Sequence, residues 1–283
     1  MKKYIRLSVI LTILITLLIS CDDKIDVDVP EAAPRLVIEA SLDWEKGTTG
    51  NNQTIKLSTS TPYFNTTVNT SVTGASVKVT NTDSNAVYNF VDENDGEYTI
   101  NNFVPVINDS YTLEVIYNGE TYTATEQLMP VSPIMNPTQS LEGGFDDEVL
   151  DVTIFFQDPP NEDNFYMLRN KEDTDLFAEL ETQSDEFTDG NLQDEFFEKD
   201  KDDEDPEAEY NPGDTVNIKL YGISERYHNY VTLLVEQYDS GGDPFAATPA
   251  EIRGNCINVT NEANYAFGYF RVTEFDQIDY TFQ

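Results

Sequence analysis

From Pro34 onward the chain alternates apolar and polar residues with a period of two, and this pattern does most to limit its fold. Leu36, Ile38, Ala40 and Leu42 stand between Val37, Glu39 and Ser41; Ile55 and Leu57 follow, then Ala75, Val77 and Val79. Tyr88 and Phe90, Tyr98 and Ile100, and Tyr111, Leu113, Val115 and Tyr117 continue the pattern, which closes on Tyr122 and Ala124. Successive side chains of a strand point to opposite faces, so alternation of this kind predicts strands with one face buried. Asp95-Gly96 and Asn118-Gly119 separate adjacent runs and supply the positive φ that tight hairpins need. About seven short strands in residues 34–128 predict an antiparallel β-sandwich of immunoglobulin-like or transthyretin-like form. No cysteine pair brackets Trp44, so the antibody-type signature is missing.

Met129 to Asn136 carries Pro130 and Pro133, and Pro137 follows. This composition predicts an extended, stiff linker over 129–144. Beyond it, a second β-rich region is expected over 145–283. Val149 to Gln157 reads as a strand stopped by Asp158-Pro159-Pro160. Phe165 to Arg169, Thr215 to Tyr221, Tyr265 to Val272 and Ile278 to Phe282 read as further strands. The acidic, aromatic stretch 173–210 reads as a loop. One amphipathic helix is expected at about 224–239. Ser224 serves as its cap, Glu225 favours its first turn, and Gly241-Gly242 ends it. Its expected apolar stripe is Tyr227, Tyr230, Val231, Leu234 and Tyr238. No internal repeat is visible.

The N-terminus predicts an address. Lys2, Lys3 and Arg6 precede a short apolar run, Leu7 to Ile19, and then Ser20-Cys21. A basic start, a brief apolar core and a small residue before the cut describe an export signal over 1–20. The run is shorter than the roughly 20 residues of a membrane span. Cys21 at the cut resembles a lipobox cysteine, which would take a diacylglyceryl group and become the first mature residue. Lipid chains contribute about 0.8 kcal/mol per buried methylene, so two or more chains anchor stably. Residues 21–33 then read as an acidic tether. Asp22 and Asp23 resemble a surface-export signal, the alternative being plain solvation of the tether.

Composition excludes some partners. The formal charge is −37, from 16 basic and 53 acidic side chains. Loss of the three leader bases leaves 13 against 53, or −40. Nucleic acid needs a basic face, and so does close apposition to anionic lipid. Aromatics at 12% are enough to build packed cores. Acylation of Cys21 leaves Cys256 without a partner, and its alternating surroundings predict a buried strand thiol.

Catalytic signatures are sparse. His228 is the one histidine and falls mid-helix off the stripe, where a solvated side chain is expected. A histidine-rich zinc site is excluded by count, and no nucleophile elbow, phosphate loop or dinucleotide fingerprint occurs. No cofactor is expected and a non-enzymatic role is favoured, with a carboxylate-based glycoside hydrolase as the alternative. Asp200, Asp202 and Glu204 are weak calcium candidates in a dense acidic run. Asp185 to Gly190 resembles the start of an EF-hand loop, but Phe187 stands where an oxygen ligand belongs. Asp214-Thr215-Val216 resembles a short acceptor pattern for O-glycosylation at Thr215.

Several segments read together. They are Leu36 to Ala40, Leu57 to Phe64, Gly74 to Val77, Tyr111 to Val115, Gly119 to Ala124, Asp243-Pro244-Phe245, Gly254-Asn255 and Ala266 to Phe270. Their order resembles a domain-of-unknown-function lipoprotein family of Bacteroidota, usually encoded beside TonB-dependent receptors. The resemblance covers nearly the whole mature chain and departs at Cys256, which follows Asn255 where an aliphatic residue is usual. It implies an outer-membrane surface lipoprotein acting with a TonB-dependent transporter in uptake, as a ligand-binding or capping partner. It brings no established activity. A structural or adhesive surface protein is the alternative.

Overall fold

A computed structural model describes residues 33–61, 68–146, 148–199, 209–240 and 251–283. The alternating runs form β1 (Leu36–Glu45), β2 (Gln53–Thr59), β3 (Ser76–Asn81), β4 (Val87–Asp92), β5 (Glu97–Ile100), β6 (Ser110–Tyr117) and β7 (Glu120–Gln127). The protein is mainly β, as the alternation predicts. Ile38, Ala40, Leu42, Ile55, Leu57, Val77, Val79, Leu113 and Val115 all enter one buried core, packed around Tyr98, Phe103 and Tyr111. The two sides of the sandwich are β1-β2-β5 and β4-β3-β6-β7. Asn118 and Gly119, with φ of 50° and 77°, join β6 to β7 in register Tyr117↔Glu120. Both left-handed residues match the twist of a two-residue hairpin.

The second region contains β8 (Met135–Ser140), β9 (Asp151–Gln157), β10 (Phe165–Glu172), β11 (Glu179–Ser184), β12 (Leu192–Phe197) and β13 (Thr215–Ile223), then α1 (Glu225–Asp239), β14 (Ile257–Asn258) and β15 (Phe267–Thr281). A large sheet runs β11-β10-β13-β15-β1-β2-β5-β4-β3-β6-β7-β14, and a small one runs β12-β9-β8. Val152, Ile154 and Phe156 of β9 share a core with Tyr166, Leu168, Ile218 and Leu220 of the facing sheet.

Three segments differ from expectation. The two strands expected at 265–272 and 278–282 are one, β15. It pairs in parallel with β1 from Val37↔Phe267 to Glu45↔Phe275 and antiparallel with β13 from Thr215↔Thr281 to Tyr221↔Phe275. The polar residues that seemed to interrupt it are satisfied by neighbouring backbone. The Thr273 hydroxyl donates to the Gly222 carbonyl, Glu274 accepts from the Val131 amide at 3.0 Å and the Lys46 ammonium at 2.8 Å, and Asp276 accepts from the Ile134 amide at 2.8 Å. The same contacts fasten the proline-bearing segment, where a linker was expected and where β8 also forms. Pro130 lies so close over Gly222 that a Cβ there would stand 1.8 Å from its carbonyl oxygen. The acidic stretch 173–210 likewise contains strands, β11 and β12. Pro34–Gln283 is accordingly one compact unit.

Ser224 caps α1, accepting from the Tyr227 amide at 3.2 Å, and its hydroxyl donates to Glu126 at 2.8 Å. The helix buries Val231 and packs Tyr227, Tyr230 and Val235 against Met167, Tyr221 and Phe275. Leu234 and Tyr238 were expected on this stripe but are 41% and 79% exposed, so only the first turns of the helix dock.

Three of the segments that carry the family resemblance, Leu36 to Ala40, Gly254-Asn255 and Ala266 to Phe270, hold backbone together. Gly268 has φ +89°, and a Cβ there would meet the Ile38 carbonyl oxygen at 2.1 Å; one on Gly254 would meet the Gly268 oxygen at 1.4 Å. Asn255 pairs with Phe270 as a strand would, donating to its carbonyl at 2.7 Å and accepting from its amide at 2.8 Å. Asn255 and Tyr269 also donate to the buried Glu126, at 3.0 and 2.9 Å. Cys256 is buried beside them; desolvation pushes its thiol up to about 12.

Candidate functional site

Among the described residues, the strongest concentration of unsatisfied polar atoms lies where the β9–β10 and β11–β12 loops meet. Asp158 follows β9, Asp185 follows β11, and Asp189 precedes β12; a carboxylate oxygen of each lies within 4.8 Å of the others. Asp158 is 0% and Asp185 4% exposed, whereas Asp189 faces solvent. Backbone bonds draw the loops together. The Asp158 amide donates to the Asn191 carbonyl at 3.0 Å, and the Asp185 amide donates to the Asn164 carbonyl at 3.1 Å.

Each carboxylate is oriented by its neighbours. Asp158 accepts from the Tyr166 hydroxyl at 2.5 Å and the Gly190 amide at 2.8 Å. Asp189 accepts from the Asn161 amide at 2.8 Å. Burial and the bond to Asp158 drive the Tyr166 phenol far above its usual range, so it remains a donor. Asp185 differs: its Oδ2 is shielded from solvent and has no hydrogen-bond partner. Burial raises its carboxyl, and the negative charges of Asp158 and Asp189 push the same way, against a lowering contribution from the Asn164 backbone. Asn164 Oδ1 and Thr188 Oγ1, on the same two loops, are also shielded and unpartnered.

The sequence singled out Asp185 to Gly190, and the structure keeps part of that reading. Strands flank the loop, so it is no EF-hand, and Phe187 is 88% exposed, away from any ligand position. Asp158 was missed as a ligand because it looked like a strand terminator before two prolines. Only the fold brings it to Asp185.

Cys21, Asp22, Asp23, Asp200, Asp202 and Glu204 lie outside the described residues. Thr215 opens β13, its hydroxyl 2.9 Å from that of Thr281. His228 packs against Phe165 with ring planes tilted by 53° and centroids 5.2 Å apart, and its Nδ1 is buried without a partner, so it is less solvated than its place off the stripe suggested. An open groove of about 590 Å³ runs along β2, β4 and β5, lined by Asn52, Asn89, Glu93, Thr99, Asn101 and Asn102. Among the described residues no helix is long and apolar enough to cross a membrane.

The described residues form a mainly β scaffold in which the last strand pairs with the first, with an oxygen-rich cluster at one loop junction. The chain belongs to the family described as Domain of unknown function (DUF4249), whose model matches residues 22–278. No curated protein matches it. Among solved structures, a cytokine receptor complex is similar at 11% identity and TM-score 0.26, over 68% of this chain and 92% of that one. A two-domain fibronectin type III segment of chicken tenascin is similar at 11% identity and TM-score 0.21, over 67% and 90%. Likeness at that level carries no functional meaning. None of these matches indicates an enzyme family.

Proposed function

We propose that the protein is a lipid-anchored outer-membrane lipoprotein, displayed on the cell surface, that serves a TonB-dependent transporter as a ligand-binding or capping partner. The observation that carries this reading is Cys21, placed directly behind a basic and then apolar leader and followed by Asp22-Asp23. In this reading residues 21–33 serve as the tether to the compact body, which begins at Pro34. A mature charge of −40 suits a body held off a negative surface. In this reading the role is binding, with a carboxylate-based glycoside hydrolase as the catalytic alternative. The sandwich of β1 to β7 also suits a structural or adhesive module, which is the second reading.

The test is extraction of the native protein in mild detergent. Co-purification with a β-barrel receptor is expected, and Cys21→Ser should release the protein from the membrane fraction with the melting temperature of its body unchanged. Elution alone under conditions that preserve receptor complexes removes the transporter role; membrane retention of Cys21→Ser removes the lipid anchor.

A further inference from the structure

We propose that Asp158, Asp185 and Asp189 form a calcium site at the junction of the β9–β10 and β11–β12 loops. Three carboxylates converge within 4.8 Å, two of them buried. No ion pair of the described residues reaches them, and the charged groups that converge on Asp185, namely Asp158 and Asp189, are both acids. Burying unpaired carboxylates costs several kcal/mol per ion unless a counter-charge offsets it. Asp158 and Asp189 have hydrogen-bond donors, but Asp185 Oδ2 has none despite being shielded. A cation beside Asp185 satisfies that oxygen and cancels the repulsion together.

The donor set selects the class of ion. Every candidate ligand is an oxygen; the one histidine, His228, is in α1, and Cys256 precedes β14. Hard oxygen donors favour calcium, magnesium or manganese over zinc or copper. Asn164 Oδ1 and Thr188 Oγ1 are the next donors, since backbone hydrogen bonds tie both residues to Asp185 at 3.1 and 2.8 Å. Ligands from two irregular loops suit calcium, which accepts six to eight oxygens in flexible geometry, better than magnesium, which requires a near-ideal octahedron. Asn161 and Gly190, with φ of 68° and 71°, turn the backbone so that the Asn161 and Gly190 amides hold Asp189 and Asp158 in place. The inference does not depend on the lipid anchor or the transporter.

Terbium luminescence tests it on the full-length chain in detergent, after chelator treatment. Tyr166, bonded to Asp158, is placed to sensitise a bound lanthanide. Excitation of tyrosine should give terbium emission that calcium competes away. Asp189→Asn, at an exposed position, should weaken binding by about tenfold or more, because affinity follows ligand charge. Asp173→Asn, an acid outside the cluster, should leave it unchanged and so separates the site from diffuse binding by a strongly acidic surface. Melting provides a second readout. In chelator Asp185→Asn should melt above the parent, because a buried like charge is gone; with calcium at about 1 mM, in the range that extracellular modules bind, the order should reverse. Emission that Asp189→Asn leaves intact overturns the proposal. So does an Asp185→Asn variant that melts higher with and without calcium, which would mean a cluster held together by protons alone. If Asp185→Asn does not fold, the Asp189→Asn titration decides.

Discussion

The closing strand is held to the first by a buried ion pair whose loss should be costly. Arg271 of β15 binds Asp43 of β1 through Nε at 3.0 Å and Nη2 at 2.7 Å, with side-chain exposures of 12% and 25%. Its guanidinium also donates to the Tyr227 hydroxyl and lies 5.1 and 4.9 Å from the ring centres of Tyr221 and Tyr227. Burial works against its charge, and Asp43 more than restores it. Asp43→Ala leaves that charge in the protein with a phenol and two ring faces. Breaking a buried pair costs about 3–5 kcal/mol; the remaining partners place this case near the lower end, at about 3 kcal/mol. For a body of this size that corresponds to a melting temperature lower by roughly 6–12 °C. Arg271→Met should cost less, about 1–2 kcal/mol, because Asp43 is open enough to be rehydrated. A double-mutant cycle should then give a coupling of about 2 kcal/mol. Denaturant unfolding followed by Trp44 emission, with far-ultraviolet dichroism as an independent probe, measures all three variants. A cost below about 1 kcal/mol for Asp43→Ala would refute the reasoning, because it would mean that water reaches the guanidinium in the folded protein.

Two further outcomes follow from the same structure. Gly268→Ala should destabilise by about 3 kcal/mol or more, since its φ is +89° and the new Cβ meets backbone, whereas Gly47→Ala, at φ +81° in open space, should cost only about 1 kcal/mol; equal costs in urea titrations would contradict the close packing on Ile38. Glu181 of β11 and Glu195 of β12 share a hydrogen bond; burial, ahead of the repulsion from Glu195, lifts the Glu181 carboxyl to about 7. A carboxyl raised on folding contributes stability that is present below about pH 4.5 and lost as pH rises through about 7. Glu181→Gln should therefore flatten the stability profile between those values, and an unchanged slope would show that the pair does not titrate together.

The alternation of Leu36 to Leu42 and Leu113 to Val115 was legible because a strand with one buried face leaves a period that composition cannot hide. The Ser224 cap and the Asn118-Gly119 hairpin were legible for a similar reason: each is chemistry between residues close in sequence. β15 was not. Thr273, Glu274 and Asp276 look like a break, and only the carbonyl of Gly222 and the amides of Val131 and Ile134 make them acceptable inside a strand. The proline-bearing segment misled in the same way, because its partners lie at the far end of the chain. Two of the five residues in the apolar stripe of α1, Leu234 and Tyr238, were misread because periodicity gives a face but not how far the helix stays docked.

The amino-acid sequence by itself determined that the body is mainly β and that one capped helix follows β13, and it sets Cys21 directly behind a basic and then apolar segment. These are local facts, written in residues a few positions apart. Tertiary structure alone decided that the first and last strands lie side by side, that Glu126 and Arg271 join distant segments, and that Asp158 meets Asp185 and Asp189. Such meetings depend on loop closure across most of the chain, and the gain that secures them comes from burying charge and backbone together, which no short window of sequence displays.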